Sequence, residues 1–430
     1  MKIIMPDKKF LIALCSTVLI QINLFGQNDT LRLNVKDAEN YAIDHNRSMQ
    51  NASFDVKKAE ANQWYAISSM LPQVSGSLDY TNYLGFQMQL MGMPIDMNPT
   101  SNFTAQVALA ISGQQIVSAT LSRLAIEMAQ TNYQKTEQSI KRQVRSVYFS
   151  ILAMRNTLDL LNQNMENMRK LEAYTQETVK VGVSEQTDLD QISIQVSSLQ
   201  NKLNSVGRSL EILYNSLRLL LGTTIDANIA LTETIYDIVN VENVNKLLSE
   251  ELSLANNLDY RLGEQNATMA KKQVHISEWS YGPTLSLFYQ YKAKIQKSEF
   301  DMAPPQTIGL TLNVPIFSSG NKFVKVNEAK YSYKIALNNQ EQLSDQLKTQ
   351  DRQLRYNLRT SLENYDTQHK NMEVSQRVFT SISNKYEQGR ASSMEITQSN
   401  INLITAQTDY IQAMLELLNA QIELEILLNK

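Results

Sequence analysis

The chain has 430 residues, a formal net charge of -3, 43% hydrophobic residues, 13 glycines, 8 prolines and one cysteine. It carries none of the basic excess that marks a chain built to hold nucleic acid, and glycine and proline are too sparse for a loop-rich fold. Length alone allows about two or three domains.

Lys2, Lys8 and Lys9 precede a mainly apolar run from Phe10 to Phe25, and Gly26 places a small residue before Gln27. This is the pattern of a secretory signal peptide over residues 1–26. The run is broken by Gln21 and Asn23 and is shorter than the roughly 20 residues of a membrane span. Cys15 lies inside it, behind Leu14 rather than the small residue a lipoprotein acceptor needs. A mature chain without that segment has no disulfide. No later stretch is apolar enough to be a transmembrane helix, so a crossing of the membrane falls to strands.

Leu31 to Met70 is expected to be a helix ending at Leu71-Pro72, with the pattern Ala42-x-x-x-Asn46-x-x-Met49. The pattern returns 211 residues on, as Ser253-x-x-x-Asn257-x-x-Tyr260, in a helix over Lys246 to Tyr281 that ends at Gly282-Pro283. Alternating segments follow each helix. Val74, Gly76, Leu78 and Tyr80 face one way in a strand over about 73–83, and Phe103, Ala105, Val107, Leu109 and Ile111 do so over about 103–112. The second copy has Leu285, Leu287, Tyr289 and Tyr291 in a strand over about 284–292, and Ile308, Leu310, Leu312 and Val314 over about 306–314. Period two with one apolar face is the strand signature. Loops over about 84–102 and 293–305 join the strands of each pair.

Each strand pair feeds a long helix. Ala119 to Val181 and Asn321 to Gln388 contain neither glycine nor proline. Apolar residues recur at Ile140, Val144, Val147, Ile151, Met154, Leu158, Leu161, Met165 and Met168, then along the return run from Leu189 to Leu221 at Ile192, Val196, Leu199, Leu203, Val206, Leu210, Leu213, Leu217 and Leu220. Alternating steps of three and four are a coiled-coil seam, and two such runs about Gly182 read as an antiparallel hairpin. At 1.5 Å per residue the first run is about 95 Å long. The second hairpin turns at Gly389 and returns from Glu395 to Lys430. The offset between copies is 200 at the helix starts and 207 at the turns; one inserted heptad accounts for the difference and keeps the seam.

The chain is therefore a tandem repeat, residues 27–222 and 246–430, joined by an equatorial linker over 223–245. The expected class is mainly α with β: long coiled-coil hairpins plus four strands. Four strands close no barrel, and lipid does not tolerate open sheet edges. Three copies supply twelve strands, an even number within the range of outer-membrane barrels, continued by a periplasmic α-barrel. The competing architecture is a periplasmic coiled-coil scaffold with surface hairpins and no channel.

The order of elements, the internal repeat, and the turns Val181-Gly182-Val183-x-x-x-Thr187-Asp188 and Gly389-Arg390-x-x-x-x-Glu395 resemble the TolC-type outer-membrane efflux family over about residues 31–430. The resemblance implies a homotrimer in outer-membrane lipid, a periplasmic adaptor that docks at the helical tips, and an inner-membrane pump of the resistance-nodulation-division or ABC type. A duct for protein secretion is the alternative on the same fold. The tip residues expected to meet the adaptor are Val181, Gly182, Val183, Ser184, Thr187, Gly389, Arg390, Ser392 and Ser393. The resemblance also implies an acidic constriction at Glu395. Asp188 is its counterpart in the first turn, Gln398 stands where a second acid is often found, and an Arg390–Asp188 pair is the expected closing lock. Both acids also suit the first turn of a helix through its dipole.

Met88, Met91, Met93 and Met97 form a soft-donor cluster in the first strand loop. Thioethers bind Cu(I), but self-packing of a methionine-rich loop is the favoured reading. His45, His275 and His369 form no ligand set, no phosphate loop or nucleophile–base pair is present, and neither enzyme activity nor a cofactor is expected.

Overall fold

A computed structural model describes residues 30–90, 92–296 and 304–430. The signal segment and Met91 lie outside the described residues. Those residues divide into two compact units. One is built from residues up to 47 with 139–249 and 356–423; the other from 48–138, 250–355 and 424–430.

The second unit carries the sheet. Strands β2 (Gln73–Thr81), β5 (Thr100–Ser112), β7 (Thr284–Gln296) and β8 (Gln306–Asn313) follow the order β2-β5-β7-β8, antiparallel throughout. The register aligns the apolar positions of all four. Leu287 stands opposite Leu109 on one side and Leu310 on the other, and Val107 stands opposite Val74 and Tyr289. Ser286, Gln290 and Lys292 point the other way, beside Ala110, Gln106 and Thr104. The apolar face is exposed: Leu310 is 68% accessible and Val74 77%. A strand face this apolar is stable in lipid rather than water. β2 and β8 are the free edges.

Three strand boundaries run longer or shorter than expected by two to four residues. The loop expected over 84–102 also holds a hairpin, β3 (Gln87–Leu90) and β4 (Met93–Asp96), with Gln87 Nε2 donating to Asp96 Oδ1 at 2.7 Å.

The single helix expected over Leu31–Met70 is instead a short strand β1 (Leu31–Leu33) and two helices, α1 (Val35–His45) and α2 (Arg47–Ser68). β1 pairs in parallel with β6 (Ile229–Leu231), inside the stretch expected to be a plain linker. That linker also forms α5 (Ile235–Ile238) and α6 (Val241–Ser249), so the helix expected over Lys246–Tyr281 is confined to α7 (Leu258–Glu278) with 3-10 turns on either side. The breaks at residues 46 and 257 share a cause. Asn46 takes extended angles (φ -66°, ψ 132°) and its Nδ2 donates to Leu220 O at 2.7 Å. Asn257, its counterpart, donates Nδ2 to Leu427 O at 3.0 Å and accepts from the amides of Asp259 and Tyr260. Each asparagine leaves its own helix to satisfy a carbonyl at the end of a return helix, where four carbonyls lack partners.

The long hairpins are α3 (Gly113–Lys180) with α4 (Gln186–Leu221), and α8 (Asn321–Glu387) with α9 (Ser393–Leu427). In the first unit Leu161, Met165 and Met168 of α3 bury against Ile192, Leu199 and Leu203 of α4, with Ile404 of α9 packed on them. Each such side chain contributes about 1.5–3 kcal/mol of burial, so the expected seam holds the hairpin. Tyr148, fully buried on α3, joins Leu33 O and Glu233 Oε2 at 3.1 and 3.0 Å, and Glu233 also accepts from Val35 N. α3 is thereby fastened to β1 and to the start of α5. Among the described residues no helix is long and apolar enough to cross a membrane.

Candidate functional site

The two helical turns end and restart their helices by the same devices. At the first, Gly182 takes φ 77° and Val183 N donates to Thr178 O at 2.9 Å. At the second, Gly389 takes φ 66° and Arg390 N donates to Lys385 O at 2.8 Å. These are Schellman stops, in which a left-handed residue lets the chain reach back to an orphan carbonyl. Glycine adopts that angle without the Cβ penalty of other residues.

Each return helix starts from an acid three residues in. Asp188 Oδ2 accepts from Glu185 N at 3.2 Å. Glu395 Oε2 accepts from Ser392 N at 2.7 Å and from Ser392 Oγ at 3.0 Å, and Glu395 N donates to Ser392 Oγ. The second start is a full capping box. The bonds from the Ser392 amide and then its hydroxyl hold the Glu395 carboxyl below the usual glutamate range, with Lys385 adding to the effect.

The turns are joined to each other. Ser393, 7% exposed, donates its hydroxyl to Asp188 Oδ1. The expected Arg390–Asp188 ion pair is absent among the described residues. Arg390 is exposed and its backbone amide closes the turn, whereas Ser393 lies in the first turn of α9, against α4. The acid at 188 thus has two neutral donors in place of a cation. Gln398 is exposed and bonds Asn402 Oδ1 at 2.9 Å. Thr187 Oγ1 bonds Glu185 Oε2, and Ser184 N shares Thr178 O. Val181 and Val183 are 73% and 77% exposed, so the tip presents apolar side chains around its glycine.

Behind the tip, the contact between the hairpins is partly polar. Thr175 of α3 is fully buried and shares a 2.9 Å hydrogen bond with Tyr386 OH of α8, whose ring meets Tyr174 edge-on at 6.0 Å. Ser399 and Asn400 of α9 are buried, and Ser399 Oγ and Asn400 Oδ1 have no hydrogen-bond partner. Sequence reasoning missed these residues. Their only signal is a hydroxyl or amide standing where the seam calls for an apolar side chain. A buried, unsatisfied polar atom costs about 1–3 kcal/mol, a cost that falls behind the tip at Ser399 and Asn400.

Among the described residues there is no cluster of three or more His, Cys, Asp or Glu able to hold a metal. Met88, in β3, is 37% exposed and Met97 donates its backbone amide to Phe86 O.

The chain matches the model of the outer membrane efflux protein family over residues 40–223 and 250–430. No curated protein sequence matches it. Its fold is that of several solved structures. The outer membrane protein VceC of Vibrio cholerae is 15% identical, with 92% of this chain and 95% of that one covered at a TM-score of 0.75. The CmeC outer membrane channel of Campylobacter jejuni is 16% identical, with 92% and 85% covered at 0.76. The open MtrE outer membrane channel of Neisseria gonorrhoeae is 13% identical, with 92% and 88% covered at 0.75.

Proposed function

The chain belongs to the outer membrane efflux protein family, and from that membership we propose that it works as the passive outer-membrane duct of a tripartite efflux system. Its place is the outer membrane of a Gram-negative bacterium, with a large periplasmic part. Three copies close twelve strands into one barrel. A periplasmic adaptor docks on the tips, and an inner-membrane pump of the resistance-nodulation-division or ABC type supplies the energy.

The observation that carries this reading is the four-stranded sheet whose apolar face is exposed and whose edges, β2 and β8, are both free. Backbone groups on such edges need partners in lipid, and copies of the same sheet are the partners at hand. Two near-identical turns in each of three chains make six similar tips, which suits a six-fold adaptor. Val181, Gly182, Val183, Ser184, Thr187, Gly389, Arg390 and Ser392 form its docking surface, and Ser393, buried on Asp188, supports it from behind. Asp188, Glu395 and Gln398 line the constriction, where three Glu395 carboxylates about one axis favour cations over anions.

The test is planar-bilayer conductance of the purified protein beside Glu395→Ala. Discrete pores are expected, with cation selectivity reduced in the variant. Pores indifferent to the substitution remove Glu395 from the constriction. A protein that stays soluble without detergent and forms no pores overturns the duct.

A further inference from the structure

Below the sheet's apolar face lies a second apolar feature that strand pairing does not use. The start of β2, the end of β5, the start of β7 and the end of β8 lie together at one end of the sheet, since Thr284 pairs with both Ser112 and Asn313. The segments meeting that end expose large side chains. Trp64 and Tyr65, before β2, are 64% and 77% accessible; Trp279 and Tyr281, before β7, 49% and 48%; Ile316 and Phe317, after β8, 96% and 86%. Scattered apolar residues on a surface need no explanation, but a contiguous set beside an interface does. Tryptophan and tyrosine concentrate where hydrocarbon meets headgroups, because each ring has an apolar body and a polar tip.

The same level is basic. Lys322 Nζ lies 5.5 Å from the centre of the Tyr281 ring, and Lys325 follows one turn later, exposed. Lys322 and Lys325 follow the end of β8 by nine and twelve residues, whereas Arg123, eleven residues after β5, is paired with Glu127 at 3.8 Å. Glu278 is bonded to His275.

An aromatic girdle at the bilayer edge is general to outer-membrane barrels. We propose that the collar of this chain in addition selects anionic phospholipid headgroups of the periplasmic leaflet, an inference that rests on the outer-membrane reading. The rings and Phe317 lie at the hydrocarbon boundary, continuous with the apolar strand face. Lys322 and Lys325 reach the phosphates with the ammonium at the end of an apolar stem, as lysines do at membrane interfaces. A basic residue near an anionic bilayer surface strengthens association roughly five-fold.

Trp64 and Trp279 are the only tryptophans in the sequence, so all tryptophan emission from the assembled protein reports on the collar. The experiment places the full mature protein in phosphatidylcholine bilayers containing a minor fraction of brominated phosphatidylcholine or of brominated phosphatidylglycerol, and checks for pores in the same preparation. The expected result is loss of emission with either lipid, greater with brominated phosphatidylglycerol. In the double variant Lys322→Gln, Lys325→Gln the phosphatidylglycerol excess disappears while pores persist. Pores with emission untouched by either lipid overturn the collar and point to cover by a neighbouring copy. Equal quenching by both lipids in the wild type overturns the anionic preference. A protein with neither pores nor quenching overturns the membrane reading, and the collar with it.

Discussion

Ser393 gives its hydroxyl to Asp188, and the bond joins the first turn of one return helix to the first turn of the other. Asp188 has no cation in this contact; its remaining oxygen takes the Glu185 amide. A hydrogen bond to a carboxylate is worth about 1.5–3 kcal/mol in a dry site, and this half-buried one falls at or below the lower end. Ser393→Ala is expected to loosen the tip by about 1 kcal/mol and to raise channel open probability in planar bilayers. Arg390→Ala, which removes no partner of Asp188, should leave the open probability unchanged. The reverse order of effects would return the lock to Arg390.

Glu395 gives a pH dependence with a definite sign. Its carboxyl is held low by the Ser392 amide and hydroxyl, so its contribution is complete above the ordinary glutamate range and is lost as the pH falls through that range and below. Protection of the amides in the first turn of α9, taken against their intrinsic exchange rates, which slow on acidification, should therefore fall as the pH is lowered. Glu395→Gln should show the low protection at neutral pH and little further change.

Asn46 and Asn257 predict matched losses. Each is buried, and each donates to a carbonyl at the end of a return helix. Alanine at either site leaves that carbonyl unpaired and is expected to cost about 1–2 kcal/mol, seen as a lower denaturation midpoint of the assembled protein. Aspartate, which brings an acceptor to face an acceptor, should cost more than alanine at both.

Two glycines separate backbone strain from crowding. Gly182 (φ 77°) has open space where a Cβ would go, so Gly182→Ala should cost only the angle, about 1 kcal/mol. At Gly222 (φ 70°) the Cβ would stand 2.4 Å from His45 O. Gly222→Ala should be clearly worse in thermal denaturation, because a backbone carbonyl has to move as well.

The hairpins were legible because their signal is long and local. Long proline-free runs with steps of three and four name the seam residues, and Leu161, Met165, Ile192 and Leu199 are buried as that spacing requires. The strands were legible from alternation, with their ends off by a few residues. β1 and β6 have three residues each, too few to show a period, and β4 contains Pro94, which argues against a strand in isolation. The break at Asn46 is invisible locally, since what ends the helix is a carbonyl 174 residues away. At the tip, the glycines and first-turn acids were readable from type and spacing. Opposite charge suggested Arg390 for Asp188, but the backbone of the Schellman turn decides which side chain arrives, and it delivers Ser393.

The free edges at β2 and β8 also have a kinetic side. A lone sheet carries a row of unpaired amides and carbonyls on each flank, so a solitary chain meets a steep barrier at the hydrocarbon and waits outside it. Insertion then becomes a collective event whose rate climbs with a power of concentration. For the trimeric duct proposed above, the number of channels in a cell would thus rise more steeply than in proportion to expression.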